Sequence, residues 1–262
     1  MKTNPSDTIQ LGLCIMLPSP AALERIGRDW DWVWLDGQHG QIAGYDTMLS
    51  MVRACQAAGK PAFVRVPGHE PSWIGLALDM GADAVIVPQV DNVEQAGRII
   101  QAAKFPPLGN RSFGGRRPID LQGRSYVREP GGKPWLICQI ESPEALENAE
   151  AIASLPGVDG LFLGPDDYLL RQGVEIDIAG DEAMVGEAIR RMAAACRPLN
   201  KALLCVGMGG DMFRICLENG ATHIVAGGDV AFLAGGSKTA ADTARGKLVS
   251  AGESATATLN LY

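Results

Sequence analysis

The amino-acid sequence predicts an α/β protein with a closed (β/α)8 barrel, or TIM barrel, built as a single domain. Two observations carry this prediction. Eight short, nearly continuous apolar segments alternate with longer segments of helical periodicity, as is typical of parallel strands buried beneath helices. The length of 262 residues is also that of one barrel domain. A doubly wound open sheet is the alternative, although no Gly-x-Gly-x-x-Gly turn follows the first strand.

The predicted strands and helices alternate from one end of the chain to the other. The strands are residues 11–16, 32–35, 62–66, 84–88, 135–140, 158–163, 202–206 and 223–226. The helices are residues 20–28, 45–58, 71–80, 93–104, 143–154, 181–197, 211–219 and about 230–249. Two helices have a clear start signal, because a serine precedes a first-turn proline at Ser19-Pro20 and at Ser142-Pro143.

One internal segment and the end of the chain differ from this repeat. Residues 105–133 form an irregular insertion rich in arginine and glycine, which favours a functional loop or interface as much as a solvated surface excursion. Residues 230–262 are predicted to form a C-terminal helix and tail. Because no linker divides the chain, we expect one barrel domain spanning residues 1–262.

Composition argues against several classes of protein. The net charge of −7 disfavours a surface for nucleic acid or for anionic membranes. The six cysteines include no Cys-x-x-Cys pair, so we expect buried free thiols rather than disulfides or a zinc site. The N-terminal residues lack the apolar core of a signal peptide, and no apolar run is long enough to span a bilayer. We therefore expect a cytoplasmic protein.

Polar residues follow several predicted strands, at the end where barrels carry their active sites. Asp36 and His39 follow the second strand, and this spacing allows the carboxylate to orient the imidazole and raise its basicity. Arg65 lies within the third strand, where a charge needs an anionic partner. Gln139 and Glu141 share one face of the fifth strand because side chains alternate. An ordinary polar turn is the alternative for each residue taken alone.

Two carboxylates are predicted to meet over the barrel mouth. The sixth strand is followed by Gly164, Pro165, Asp166 and Asp167. Neighbouring strands lie about 4.8 Å apart, so Glu141 of the fifth strand should approach one of the two aspartates. Such a pair with room for water suits an octahedral divalent cation, Mg²⁺ or Mn²⁺, with Co²⁺ as a third candidate. A salt-bridge network with an arginine is the alternative.

Glycines follow the last two predicted strands, at residues 207–210 and 227–228. Many barrels bind phosphate through backbone N–H groups at these positions. A barrel that binds a phosphorylated metabolite, as an isomerase or as a non-catalytic binding protein, is therefore an alternative function. The glycines could instead only allow a close approach of the backbone. His223, which begins the eighth strand, is predicted to be structural.

Five segments of the sequence resemble one known family. They are residues 34–39, 63–67, 78–88, 139–145 and 157–167. Their order and spacing resemble those of the HpcH/HpaI aldolases, which are metal-dependent class II enzymes with pyruvate as the nucleophile. The resemblance implies a carbon–carbon lyase that cleaves or forms a 4-hydroxy-2-oxo acid through a pyruvate enolate, with an aldehyde or keto acid as partner. It also implies a homo-oligomer, commonly a hexamer, in which a neighbouring subunit helps to close the site.

The resemblance assigns roles to the matching residues. Glu141 and Asp167 resemble the two metal ligands. Arg65 resembles the arginine that binds the keto oxygen of pyruvate and stabilises the enolate. His39 resembles the base, acting with Asp36 and through a water on the metal.

The remaining matching residues are implied to bind substrate. Gln139 resembles a residue that orients water or ligand. The backbone N–H groups around Asp166 and Asp167, in the segment that begins with Gly164 and Pro165, would receive the pyruvate carboxylate. No predicted strand contains a lysine, which fits this metal route rather than a Schiff base.

Three positions depart from the family pattern and leave the substrate open. Gln38 stands where the family usually has Glu, Asp166 where it usually has a small residue, and Tyr168-Leu169 where it usually has Leu-Ser. A citrate-like condensation with oxaloacetate or another polycarboxylate is therefore an alternative reaction. It would be favoured if the arginines of the insertion lay at the barrel mouth. These arginines are Arg111, Arg116, Arg117 and Arg124.

Overall fold

The structure is a computed structural model that describes residues 8–128, 134–174 and 182–251. Its strands are β1 (Gln10–Ile15), β2 (Trp32–Asp36), β3 (Ala62–Arg65), β4 (Ala84–Val87), β5 (Trp135–Ile140), β6 (Gly160–Leu163), β7 (Ala202–Val206) and β8 (His223–Gly228). Each strand pairs in parallel with the next, and β8 pairs with β1 to close the sheet. The predicted (β/α)8 barrel is therefore confirmed.

Helices connect successive strands around the outside of the barrel. They are α1 (Pro20–Ile26), α2 (Tyr45–Ala57), α3 (Pro71–Asp79), α4 (Val93–Ala103), α5 (Arg116–Gln122), α6 (Pro143–Glu147), α7 (Ala149–Ser154), α8 (Pro165–Arg171), α9 (Glu182–Cys196), α10 (Met212–Glu218) and α11 (Asp229–Ser250). The two serine–proline starts are confirmed, since the Ser19 and Ser142 hydroxyls accept hydrogen bonds from N–H groups of the first turns of α1 and α6.

Three helices differ from the prediction. The helix expected over residues 143–154 is broken at Asn148, whose side-chain amide donates to the carbonyls of Asp91 and Glu144. The short helix α8 was not predicted, although Pro165 at its first position is a typical helix start. The helix expected from residue 181 is described from Glu182, and Asp181 lies outside the described residues.

The insertion at residues 105–133 is more regular than the sequence suggests. It contains α5 and a 3-10 turn at Arg124–Arg128, while residues 129–133 lie outside the described residues. Its aromatic rings pack together, and the Tyr126 hydroxyl donates to the carbonyl of Gly114. Because the insertion leaves α4 and leads into β5, it lies at the N-terminal ends of the strands.

The core has two layers. Leu, Ile and Val side chains fill the space between the sheet and the helices, whereas aromatic rings fill the barrel interior. The rings of Trp32 and Phe63 pack inside the barrel at an interplanar angle of 38°, with ring centroids 4.9 Å apart. Gly12 makes this packing feasible, since a Cβ atom there would lie 2.4 Å from the Trp32 ring. All six cysteines are buried free thiols, as expected from their spacing.

His223 closes the floor of the barrel, as its predicted structural role requires. Its ring lies 5.9 Å from the rings of Trp32 and Trp135 and 6.4 Å from that of Phe63. Nδ1 lies 2.9 Å from the hydroxyl oxygen of Thr222, which is hydrogen-bonding distance. Burial lowers the pKa of His223 from 6.5 to about 4, so the folded protein holds a neutral imidazole here.

We expect His223 to make the fold sensitive to acid. The unfolded chain binds the proton below pH 6.5 and the folded chain only near pH 4, so stability falls as pH decreases between these values. The full loss is about 3 kcal/mol. Chemical denaturation of wild type and His223→Asn at pH 7 and pH 4 measures this. Equal pH dependence of the two proteins would contradict the prediction.

The last helix leaves the barrel. Within α11 only Asp229 is buried, and the apolar side chains of Val230, Phe232 and Leu233 are exposed. Its contacts with the rest of the chain are made mainly with β1 and β8, through its first turns. Among the described residues, no helix is long and apolar enough to cross a membrane.

Candidate active site

A cavity of about 590 Å³ opens at the C-terminal ends of the strands. Eight of the residues proposed from the sequence line it. They are His39, Arg65, Gln139, Glu141, Gly164, Pro165, Asp166 and Asp167. Asp36 lies beneath them and is 1% exposed. The strand-end residues therefore converge as the barrel geometry requires.

An ion pair between Asp36 and Arg65 forms the floor of the cavity. Arg65 Nε donates to Asp36 Oδ1 at 2.9 Å and Nη2 donates to Oδ2 at 2.8 Å. Burial alone would raise the pKa of Asp36, but the hydrogen bond and charge of Arg65 hold it below its usual range. The guanidinium also lies 4.6 Å from the ring centre of Trp34. Arg65 is therefore held rigidly. Its Nη1 atom takes no part in the two hydrogen bonds to Asp36.

The structure does not pair the Asp36 carboxylate with the His39 imidazole, contrary to the prediction from the sequence. Asp36 Oδ1 accepts hydrogen bonds from the backbone N–H groups of Gln38 and His39, at 3.0 and 3.2 Å. The reason is a tight turn: the N–H of Gly37 donates to the carbonyl of Arg65, and a Cβ atom at Gly37 would lie 2.6 Å from that oxygen. Asp36 thus fixes the backbone of His39, whose exposed side chain lines the cavity.

Glu141 is a buried carboxylate facing the other side of the cavity. It is 1% exposed, and it accepts hydrogen bonds from the backbone N–H of Gln89 and the side-chain amide of Gln139. Burial, followed by the nearby charge of Asp167, raises the pKa of Glu141 to about 7. Gly164 is required beside it, since a Cβ atom there would lie 2.4 Å from Glu141 Oε1.

The loop after β4 supports Glu141 through a constrained residue. Gln89 adopts a φ of +56°, in the left-handed region that non-glycine residues seldom enter. This conformation lets its N–H donate to Glu141 Oε2 at 2.9 Å. A constrained backbone that holds a buried carboxylate is typical of a functional site.

The oxygen atoms around Glu141 suit a hard divalent cation. Glu141 and Asp167 supply two carboxylates, and the side-chain oxygen of Gln139 is buried without a hydrogen-bond partner. Throughout the described part of the chain, no group of three or more His, Cys, Asp or Glu residues could hold a metal. The donor set is therefore open, as for cations bound by one or two carboxylates together with water and substrate.

Several cavity residues were not predicted from the sequence. Trp34 lies beneath Arg65, and its Nε1–H group is buried without a partner. The signal for Trp34 was present, because it shares the inward face of β2 with Asp36. The other unpredicted residues form the outer wall. They are Leu169, Leu170, Glu182, Val185, Val206, Met208 and Met212. Except for Val206 at the end of β7, they lie on helices or in a loop, where strand periodicity does not identify them.

The departures from the family pattern lie in different places. Asp166 is exposed at the cavity, whereas the Tyr168 side chain is buried and its hydroxyl accepts from Gln172. Gln38 precedes His39 in the chain and contributes a buried oxygen without a partner among the described residues. Asp166 is thus a departure that alters the cavity surface directly.

The arginines of the insertion do not reach this cavity. Arg111 is buried in an ion pair with Asp79, at the C-terminal end of α3. Arg116 pairs with Asp120, and the Arg124 guanidinium lies over the ring of Phe113. All belong to a segment between a helix and the following strand, at the barrel end opposite the cavity. The observation that would favour a polycarboxylate substrate is therefore not met.

The phosphate-site alternative is also disfavoured. Asp229 is the first residue of α11, where a phosphate would bind. Its carboxylate already accepts hydrogen bonds from the backbone N–H groups of Met16, Leu17 and Val230. A Cβ atom at Gly227 would clash with Phe232, so this glycine is explained by the close packing of the Phe232 ring on the backbone rather than by a bound phosphate. Gly209 and Gly210, in contrast, line the cavity.

The fold and site define a class of protein: a (β/α)8-barrel enzyme whose arginine, histidine and carboxylates converge at the C-terminal mouth. The family model described as HpcH/HpaI aldolase/citrate lyase matches residues 10–234. The chain belongs to this family, and it is a carbon–carbon lyase of the aldolase type.

Individual relatives agree with this assignment. The chain is 38% identical to a 4-hydroxy-2-oxovalerate aldolase of Novosphingobium aromaticivorans, over 72% of this chain and 74% of the relative. It is 32% identical to a hydroxypyruvate/pyruvate aldolase of Rhizorhabdus wittichii, over 88% and 92%. A solved HpcH/HpaI aldolase/citrate lyase family protein from Burkholderia cenocepacia J2315 superposes with a TM-score of 0.82 at 28% identity, covering 92% of this chain and 97% of that one.

Proposed function

We propose that the protein is a divalent-metal-dependent aldolase that cleaves or forms 4-hydroxy-2-oxo acids, with pyruvate as the enolate partner. One observation carries the proposal. The rigid guanidinium of Arg65 and the carboxylates of Glu141 and Asp167 line the same cavity. A 2-oxo acid needs both kinds of group, since its ketone oxygen becomes an oxyanion when the enolate forms.

Pyruvate would bind between these groups. Nη1 of Arg65 donates to the ketone oxygen, and preorganised donors of this kind stabilise the developing charge. Gly164, Pro165, Asp166 and Asp167 form the segment against which the pyruvate carboxylate lies, with first-turn N–H groups as donors. The side-chain oxygen of Gln139, which lacks a partner, orients a water molecule or the ligand.

Glu141 and Asp167 would hold the cation, with Mg²⁺ or Mn²⁺ favoured by the all-oxygen donors. When bound, the cation supplies Lewis acidity that makes the methyl protons of pyruvate easier to remove. The protein contributes the orientation of both carboxylates: Gln89 and Gln139 hold Glu141, and the first turn of α8 carries Asp167.

His39 is proposed to move the proton, directly or through water. In the cleavage direction it accepts the proton of the 4-hydroxyl group while the C3–C4 bond breaks. The aldehyde leaves, and the electron pair of the broken bond remains as the pyruvate enolate beside Arg65. The protonated His39 then returns this proton to C3 of the enolate, directly or through water, and pyruvate leaves. Synthesis runs through the same steps in reverse.

A homo-oligomer is part of this proposal, with a hexamer expected from the family resemblance. In a closed barrel the last helix should cover β8 and β1, but the apolar side chains Val230, Phe232 and Leu233 in the first turns of α11 are exposed. Leu11 of β1 and Leu217 of α10 are also exposed. Symmetric association of identical chains would bury these apolar groups.

Deuterium exchange into the methyl group of pyruvate tests the catalytic proposal. We expect rapid exchange with Mg²⁺ or Mn²⁺, loss of exchange with a chelator, and recovery when the cation is restored. Glu141→Gln should lower exchange by about 10²-fold or more, because several kcal/mol of charge stabilisation are lost. Glu144→Gln, just beyond in α6, is the matched control and should exchange normally. The absence of exchange in metal-loaded wild type would refute pyruvate as the enolate partner.

A further inference from the structure

The outer part of the cavity is distinct from the catalytic floor. Six apolar side chains line it, and they come from α8, α9, α10, β7 and the loop that follows β7. They are Leu169, Leu170, Val185, Val206, Met208 and Met212. Pyruvate is far smaller than a 590 Å³ cavity, so this apolar wall is available to the second substrate.

The charged groups of this outer part are carboxylates. Asp166 is exposed on α8, and Glu182 is half-buried at the start of α9. Glu182 reaches across towards the loop after β7, since a Cβ atom at Gly210 would lie 3.6 Å from Glu182 Oε1. Two carboxylate side chains therefore line the part of the cavity that is open to the aldehyde.

No cation balances these carboxylates among the described residues that line the cavity. Arg65 is the one arginine lining it, and its charge is already shared with Asp36. Arg171 of α8 does not line the cavity and pairs with Asp91. A carboxylate, sulfonate or phosphate at the far end of the incoming aldehyde would thus meet repulsion from Asp166 and Glu182, and no other described side chain that lines the cavity would compensate it.

We propose that Asp166 and Glu182, together with the apolar wall, select an uncharged aldehyde with an aliphatic chain and reject anionic aldehydes. This inference rests on the proposed function, because it concerns the partner of the pyruvate enolate. A unit charge a few ångströms from each carboxylate weakens the binding of an anionic aldehyde by about 10- to 100-fold at low salt.

The test compares two aldehydes of the same chain length, butanal and 4-oxobutanoate, each with pyruvate and the metal-loaded enzyme. We expect wild type to prefer butanal by at least about tenfold in kcat/KM, with a preference that shrinks as salt rises. Glu182→Lys should move the ratio towards 4-oxobutanoate by about tenfold or more, and Glu182→Gln by a smaller factor. Glu187→Lys makes the same charge change on the exposed face of α9, outside the cavity, and should keep the wild-type ratio.

Deuterium exchange into pyruvate, measured on the same preparations, separates the two proposals. If wild type exchanges pyruvate protons but uses 4-oxobutanoate as well as butanal, the acceptor inference is wrong and the proposed function stands. An unchanged ratio in both folded Glu182 variants would also overturn it. If wild type does not exchange pyruvate protons, the proposed function fails, and the acceptor inference fails with it.

Discussion

Replacing Arg65 by alanine is expected to lower the rate of pyruvate proton exchange by about 10²- to 10³-fold, the usual effect of removing an oxyanion donor. Arg65 is 6% exposed, and its guanidinium is held by two hydrogen bonds to Asp36. Its position is therefore set before substrate arrives, and no other arginine or lysine is found among the described residues that line the cavity. The measurement is the exchange rate at saturating pyruvate and cation, compared with wild type.

The same substitution should also destabilise the fold, because it leaves Asp36 buried with an unpaired charge. Breaking a buried pair in this way costs about 3–5 kcal/mol. Arg65→Lys separates the two effects: it keeps the positive charge, but a lysine cannot make the two-pronged contact with Asp36. We expect the lysine variant to fold and still lose most of its exchange. Exchange within about tenfold of wild type in a folded Arg65→Ala protein would contradict the role of Arg65.

Strand periodicity and barrel topology account for much of the candidate site. Side-chain alternation put Gln139 and Glu141 on one face of β5, and the sequential strand order put them beside the end of β6. Arg65 could be singled out because a charge inside an apolar strand needs an anionic partner. The first argument needs only the spacing of residues along the chain and the second only the cost of burying a charge, so neither depends on loop conformation.

Competition between partners could not be predicted in the same way. From the sequence, Asp36 could pair either with His39, three residues further along the chain, or with Arg65 on the neighbouring strand. The choice depends on a turn in which Gly37 packs on the carbonyl of Arg65 and directs the His39 backbone, not its ring, towards the carboxylate. Hydrogen bonds from loops, such as the one from the N–H of Gln89 to Glu141, cannot be predicted from sequence periodicity because loops have none.

The position of the arginine-rich insertion, in contrast, was available from chain order alone. A segment between a helix and the next strand lies at the N-terminal ends of barrel strands, whereas catalytic loops follow the strands. Composition suggested an anion site, but topology places Arg111 and its neighbours at the opposite end, where Arg111 pairs with Asp79. The position of a segment in the β/α repeat therefore determines which end of the barrel it occupies, and composition alone does not show whether it reaches the active site.

The helix α11 is expected to control the oligomeric state. A 22-residue helix is about 33 Å long. In the part of the chain that the structure describes, its Val230, Phe232 and Leu233 side chains stay exposed, although the Phe232 ring stacks on Trp30. Leu233 is 60% exposed. Its apolar side chain therefore adds little to stability unless another copy of the chain buries it. Light scattering should give wild type a mass that is a multiple of the single chain.

Leu233→Lys places a charge at the centre of this apolar patch and should shift the protein towards monomer, with a lower Tm. Burying a lysine without a partner is strongly unfavourable, so assembly is lost before the barrel unfolds. Thr239→Lys, on an exposed polar position of the same helix, is the matched control and should leave the mass unchanged. A monomeric wild type, or a Leu233→Lys protein with the wild-type mass, would show that α11 does not mediate association.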